Sequence, residues 1–170
     1  MKRWLVVVVL ALSAGVVLAD RSSVSKYVSE SGKFTVDFPT RPNKTDSDKS
    51  LATASGNVTV VTSKAEKDGL VFSVTFVDYP DSFASVSASR VLDGVIEGMK
   101  GNDGQVSASS TFDEDGGSGR LATITASENV VKAKAILVGT RLYLVQVCGK
   151  KDAMRARTTD DFLSSFRLTK

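Results

Sequence analysis

From Leu70 to Phe76 the chain alternates without a break. Leu70, Phe72, Val74 and Phe76 fall on one side of an extended backbone, with Ser73 and Thr75 opposite. A period of two marks a strand with one face buried, and a strand satisfies its backbone only by pairing with others. The same signal recurs at Lys33 to Phe38, where Phe34, Val36 and Phe38 share a side and Pro39 ends the run. It recurs again in the β-branched run Asn57 to Lys64, in Gln105 to Phe112 with its alternating serines, and in Leu121 to Ala126. In Val130 to Val138, residues Val131, Ala133, Ala135 and Leu137 are expected to face inward and Lys132 and Lys134 to face water. Leu142 to Cys148 is apolar on both sides except at Gln146, as a central strand with cover on each face should be. Polar residues 40 to 50 lack the signal, and Leu51 to Ala54 carries it weakly. Asp68-Gly69, the acidic Gly-rich stretch Asp113 to Gly119, Glu128-Asn129 and Gly139-Thr140 supply turns. Connections this short join antiparallel neighbours, because a parallel crossover needs a dozen or more residues.

The period changes to 3.6 in two places. Between Ala84 and Lys100, residues Val91, Leu92, Val95, Ile96 and Met99 draw the stripe of an amphipathic helix, with Gly101 placed to end it. Gly94 and Gly98 lie four apart on this helix and suggest close packing against the sheet. Near the C-terminus, Phe162, Leu163 and Phe166 form a second stripe, and Thr158 with Asp161 has the spacing of a capping box. Strands and helices in this order make one mixed α+β domain. The boundaries read as a signal segment over 1–19, a flexible lead-in over 20–31, and the folded domain over 32–170.

The signal segment follows from its three parts. Met1-Lys2-Arg3 is a short basic start, Trp4 to Leu12 is almost free of polar atoms, and Val17 and Ala19 suit the small-residue pockets of a signal peptidase. Cleavage is expected between Ala19 and Asp20, which sends the domain to a secreted or periplasmic destination. A retained anchor is the rival reading. Trp4 to Ala19 would make roughly 24 Å of helix at about 1.5 Å per residue, short of a ~30 Å hydrocarbon core. Cleavage removes Lys2 and Arg3, so the formal charge falls from +3 to about +1. A balance so close to neutral does not suggest a nucleic-acid partner, and contact with a membrane is expected only in transit.

Most catalytic chemistries are missing from the sequence. The chain has no histidine and one cysteine, Cys148. That excludes Ser–His–Asp and Cys–His catalysis and multi-cysteine metal sites. Cys148, in an apolar run, reads as a buried inert thiol. Ser23-Val24-Ser25-Lys26 matches Ser-x-x-Lys, but its Ser-Asp-Asn and Lys-Thr-Gly companions are absent. Asp113, Glu114 and Asp115 lack the ligand spacing of a calcium loop and read as a solvated turn. No catalytic, cofactor-binding or metal residue is nominated, and no cofactor is expected. Tyr27, Tyr79 and Tyr143 read as core or rim residues. Asn43-Lys44-Thr45 and Asn57-Val58-Thr59 are glycosylation sequons, relevant only in a eukaryotic source.

One set of motifs, taken in order, resembles a known family. Gly32-Lys33-Phe34-Thr35-Val36-Asp37-Phe38-Pro39 opens the domain, and Val71 to Pro80 ends on Asp78-Tyr79-Pro80. Gly139 to Val147 contains Gly-Thr-Arg-Leu-Tyr, and Asp161-Phe162-Leu163-Ser164-Ser165-Phe166 closes the chain. This looks like the PsbP-like family, which includes extrinsic photosystem proteins, the Ran-binding Mog proteins and many small exported bacterial proteins. The resemblance implies an antiparallel sheet of about six or seven strands sandwiched by helices, and a role in binding or scaffolding partners. Metal binding by photosystem members uses histidines in part, so no metal site carries over to a chain with none. The expected function is therefore a non-enzymatic exported binding or accessory domain whose partner is a protein or a small apolar ligand. Two alternatives stand beside it. One is a carrier holding an apolar ligand between helix 84–100 and the sheet; the other is an envelope-tethered protein that keeps its N-terminal segment.

Overall fold

A computed structural model of the chain describes residues 24–53, 56–114 and 116–169. The signal segment, its cleavage point and Trp4 lie outside the described residues. The chain runs β1 (Ser25–Ser29), β2 (Phe34–Phe38), β3 (Asn43–Thr53), β4 (Gly56–Lys67), β5 (Leu70–Asp78) and α1 (Ala88–Lys100). It continues through β6 (Gln105–Glu114), β7 (Gly117–Ala126), β8 (Asn129–Val138), β9 (Arg141–Lys150), α2 (Arg157–Ser165) and β10 (Arg167–Leu168). The large sheet has seven strands in the order β3-β4-β5-β9-β8-β7-β6, and β1-β2-β10 form a small second sheet. Every pairing is antiparallel, and between consecutive strands the short turns require it. Asp68 and Gly69 both take positive φ, 52° and 75°, the conformation that lets a two-residue turn follow the twist of its strands.

Two meanders make the large sheet. β3-β4-β5 is one and β6 to β9 is the other. α1 carries the chain from the sheet's interior to its far edge, and β9 returns to pair with β5, with Val74 opposite Val145. The small sheet and α2 cover one face of this layer. Phe34, Val36 and Phe38 of β2 meet Phe72, Val74 and Phe76 of β5, Val145 and Val147 of β9, and Phe162 and Phe166. Ring centroids lie 5.1 Å apart for Phe38–Phe162 and 5.3 Å for Phe72–Phe162, within the range of favourable aromatic pairs. α1 covers part of the other face with smaller groups. Val91, Leu92 and Ile96 pack on Ala122, Ile124, Ala135, Leu137 and Leu142.

Several expectations need correction. The lead-in expected over 20–31 is interrupted by β1, whose Tyr27 pairs across to Val36 and packs against Phe34 and Phe38. Polar residues 43–50 belong to β3. This strand is at the sheet edge and pairs on one side only, with its register broken between Thr45 and Lys49. A backbone ladder there needs no apolar alternation, which is why hydrophobic periodicity passed over it. Gly94 and Gly98 sit on the exposed side of α1, where an added Cβ would meet nothing within 4 Å; they do not set the helix–sheet distance. The capping box is not formed, because α2 begins at Arg157 with Ala156 as N-cap and no side-chain cap bond. Gly101 does take a positive φ of 61°, a conformation with ψ near extended that is essentially open to glycine alone.

Candidate binding groove

The cover on the aromatic face is incomplete. Phe162 and Phe166 seat α2 over the middle of the sheet, and its flank (Asp160, Leu163, Ser164) stands above β8. Beyond that flank β7 and β6 lie open. The result is a groove walled by α2, with a floor of Leu121 and Thr123 from β7, Ala108 and Ser110 from β6, and Lys132 and Lys134 from β8. It comprises two adjoining hollows of about 330 and 340 Å³ that share Leu121, Asp160 and Leu163. Phe112 and Glu114 close one end. Leu121 is 40% exposed on this floor, while Val145 and Val147 on the covered part of the face are fully buried.

The two lysines overturn the expectation that they face water. Lys134 pairs directly with Val145 in register, and Lys132 with Val147, so both point to the aromatic side. Lys134 is only 8% exposed. Its ammonium pairs with the Glu114 carboxylate and lies 5.2 Å from the Phe112 ring centroid. Lys132 Nζ donates to Asp160 Oδ1 at 2.8 Å and so ties the floor to the wall. The aliphatic stems extend the apolar floor while each charged head meets an acid. Each lysine that lines the groove thus has a carboxylate partner, and Ser164 Oγ donates to the backbone oxygen of Asp161 at 3.1 Å. Such a surface can bind.

Two arginine clusters outside the groove have structural duties. Arg141 forks onto Asp78 through Nε at 2.5 Å and Nη2 at 2.8 Å, and Nη1 donates to the Ser31 oxygen at 2.9 Å. Tyr143 Oη donates to the Gly32 oxygen at 2.8 Å. The Arg-Leu-Tyr motif therefore fastens the β1–β2 turn to the large sheet, and hydrogen bonding to Asp78 raises the guanidinium pKa above its usual value. On the other face, Arg120 donates to Asp93 Oδ1 through Nε at 3.0 Å and Nη2 at 2.7 Å, joining α1 to β7. Those bonds hold the Asp93 carboxyl below the ordinary carboxylate range. Burial pushes the Tyr79 hydroxyl up; its ring stacks on Phe83 with centroids 4.2 Å apart.

The remaining candidates are scattered. Ser25 and Lys26 begin β1, and Ser23 lies outside the described residues. Asp113 and Glu114 are strand residues rather than a loose turn, because β6 runs to Glu114 and pairs it with Gly117; Asp115 lies outside. Among the described residues no three acids or thiols are grouped to hold a metal ion. Cys148 is half-buried on the α1 side of β9, not fully buried. Tyr27 Oη accepts a bond from Ser63 Oγ at 3.0 Å. The sequence reading missed the groove itself, although one signal was present. Lys132 and Lys134 share parity with Val130 and Ile136, so a strand that buries those two must also turn both lysines to the same face.

The class is thus an α+β domain on an antiparallel sheet, with one end of one face left open. No family model matches the chain, and no curated protein matches it. Among solved structures it is similar to the solution structure of cyanobacterial PsbP (CyanoP) from Synechocystis sp. PCC 6803. The two are 14% identical with a TM-score of 0.47, over 86% of this chain and 93% of that one.

Proposed function

We propose that the chain is a non-enzymatic binding or accessory domain that works after export, and that its partner, a protein, docks in the groove beside α2. The observation that carries this reading is Leu121, a large apolar side chain left 40% exposed on the floor of the concave groove beside α2. Export rests on the signal segment over 1–19, and the non-enzymatic part on a sequence without histidine, together with groove acids already engaged by lysines. The test places a photo-cross-linking residue at position 121 and, as a control, at position 62 on the opposite face. The protein is then exposed to the compartment into which it is exported. One discrete cross-linked product from position 121 alone is expected. Equal labelling from both positions, or catalytic turnover lost on mutating a surface acid, overturns the reading. The carrier alternative is less favoured: Leu92 and Ile96 pack against the sheet, and the hollow of about 310 Å³ beside them is lined by Ser89, Thr111, Asp113, Ser118 and Arg120 as well as Leu92 and Phe112, a polar setting for an apolar ligand. N-terminal sequencing of the cellular protein tests the tethered alternative, which a start at Asp20 would exclude.

A further inference from the structure

The groove is bordered by a strand that, among the described residues, has a neighbour on one side only. β6 pairs with β7 and forms the end of the large sheet, so one row of its backbone N–H and C=O groups has no ladder with any described strand. Natural sheets usually blunt such an edge. The opposite edge does so: β3 mixes Lys44, Asp46, Asp48 and Lys49 in its sequence, and its register is broken. β6 breaks its register once, between Val106 and Ala108, but beyond that point it differs: Ala108 to Glu114 runs in unbroken register with β7, and the strand's residues are exposed on both faces up to Thr111. Ser107, Ala108, Ser109 and Ser110 are small, so nothing on either face obstructs an added strand.

Charge narrows what that strand can be. Between Gly101 and Gly119 the sequence has Asp103, Asp113, Glu114 and Asp115 and no lysine or arginine. Acids therefore stand at both ends of the exposed strand in a chain whose overall charge is positive. Lys134 engages Glu114 from below, while Asp103 and Asp113 are exposed. A second copy of β6 fits badly. Antiparallel self-pairing about Ser109 would set Asp113 to Asp115 against the Asp103 end, and like charges across a strand pair are destabilising. An extended segment with basic residues near each end matches both the row of backbone groups and the acids.

We propose that β6 accepts an extended, Lys- or Arg-bearing segment of a partner protein as an eighth strand. Alternate residues of that segment lie over the groove beside Ala108 and Ser110, and basic residues lie by Asp113 and Asp103. This rests on the docking reading above and supplies its partner chemistry: backbone pairing gives affinity, and side chains on alternate positions give specificity.

The experiment uses the protein as recovered after export and two synthetic ten-residue probes, one alternating Lys and Val, the other alternating Glu and Val. Binding is followed by fluorescence anisotropy and amide hydrogen exchange. The basic peptide is expected to bind at least about tenfold more tightly than the acidic one, with the preference shrinking as salt rises. It should add protection to amides within 105–114 and not to those of β3. Asp113→Lys, and separately Asp103→Lys, should weaken it by about fivefold or more. Equal binding of the two peptides, binding without new protection in β6, insensitivity to both substitutions, or conversion of the protein to a dimer overturns the proposal. The two ideas fail separately. A discrete cross-link from position 121 with no effect at β6 removes the eighth strand and keeps the groove.

Discussion

One face of the large sheet is finished at its centre and unfinished toward its β6 edge. Over β5 and β9 it is closed by five phenylalanines, Phe34, Phe38, Phe72, Phe162 and Phe166, each essentially fully buried. Over β6 and β7 it meets Ser110, Ala108, Thr123 and Leu121, with no aromatic residue except Phe112 at the end. A cover needs large side chains to anchor it, because stabilisation follows the apolar area removed from water. The closed end has them and the open end does not. The sequence therefore places most of the stability in one half of the face and leaves the other half free for contact.

The sharpest way to break this contrast is Phe162→Ala. Phe162 joins α2 to both Phe38 and Phe72, so truncation empties the centre of the closed half and should cost about 3–5 kcal/mol. Urea denaturation measures it. A loss near 1 kcal/mol would mean that α2 is not the anchor described here. Lys134→Ala comes next, at the border between the halves. It strands the partly buried Glu114 and should cost about 1–3 kcal/mol. Adding Glu114→Gln to it should recover part of that loss, which a double-mutant cycle reads as coupling.

The closed half was largely legible in the sequence, and the open half was not. Alternation at Phe34, Val36 and Phe38 and at Leu70 to Phe76 marks core because burying an apolar side chain dominates those positions. The central place of Leu142 to Cys148 and both helical stripes followed from the same cause. The small sheet was hidden for a different reason: β10 has only two residues, Arg167 and Leu168, and β1 looks polar from Ser25 to Ser29. The groove is a product of tertiary placement. How far α2 reaches across β8 is not written in any local pattern, so Lys132 and Lys134 looked like ordinary solvent-facing residues. Gly94 and Gly98 misled in the opposite direction, since spacing alone does not say which side of a helix faces the sheet.

The α1 face gives a smaller effect that depends on pH. Asp93 has its folded-state pKa lowered, first by hydrogen bonds from Arg120. A lowered carboxyl pKa contributes stability that is fully present above the unfolded value, near 4, and is lost as pH falls through the folded value. The stability difference between the native chain and Arg120→Met should therefore be constant above about pH 5 and shrink toward pH 3. Urea midpoints at several pH values test this. A difference that stays constant down to pH 3 would show that Arg120 acts through packing instead. Because Asp93 is exposed, solvent screening keeps the effect below that of Lys134→Ala.

Leu121→Ala should have the least effect on stability. Its side chain is the largest apolar group left open on the groove floor, yet 40% of the residue already meets water in the free protein. Truncation then removes little buried area, and the change in unfolding free energy should stay within about 0.5 kcal/mol. Binding should respond in the other direction. If a partner covers this floor, Leu121 becomes buried only in the complex, so its loss appears in affinity and not in folding. Measuring both on the same variant separates the two halves of the face directly. A cost of 2 kcal/mol or more, comparable to a buried leucine, would mean that the floor is already core and that the groove is covered in the free protein.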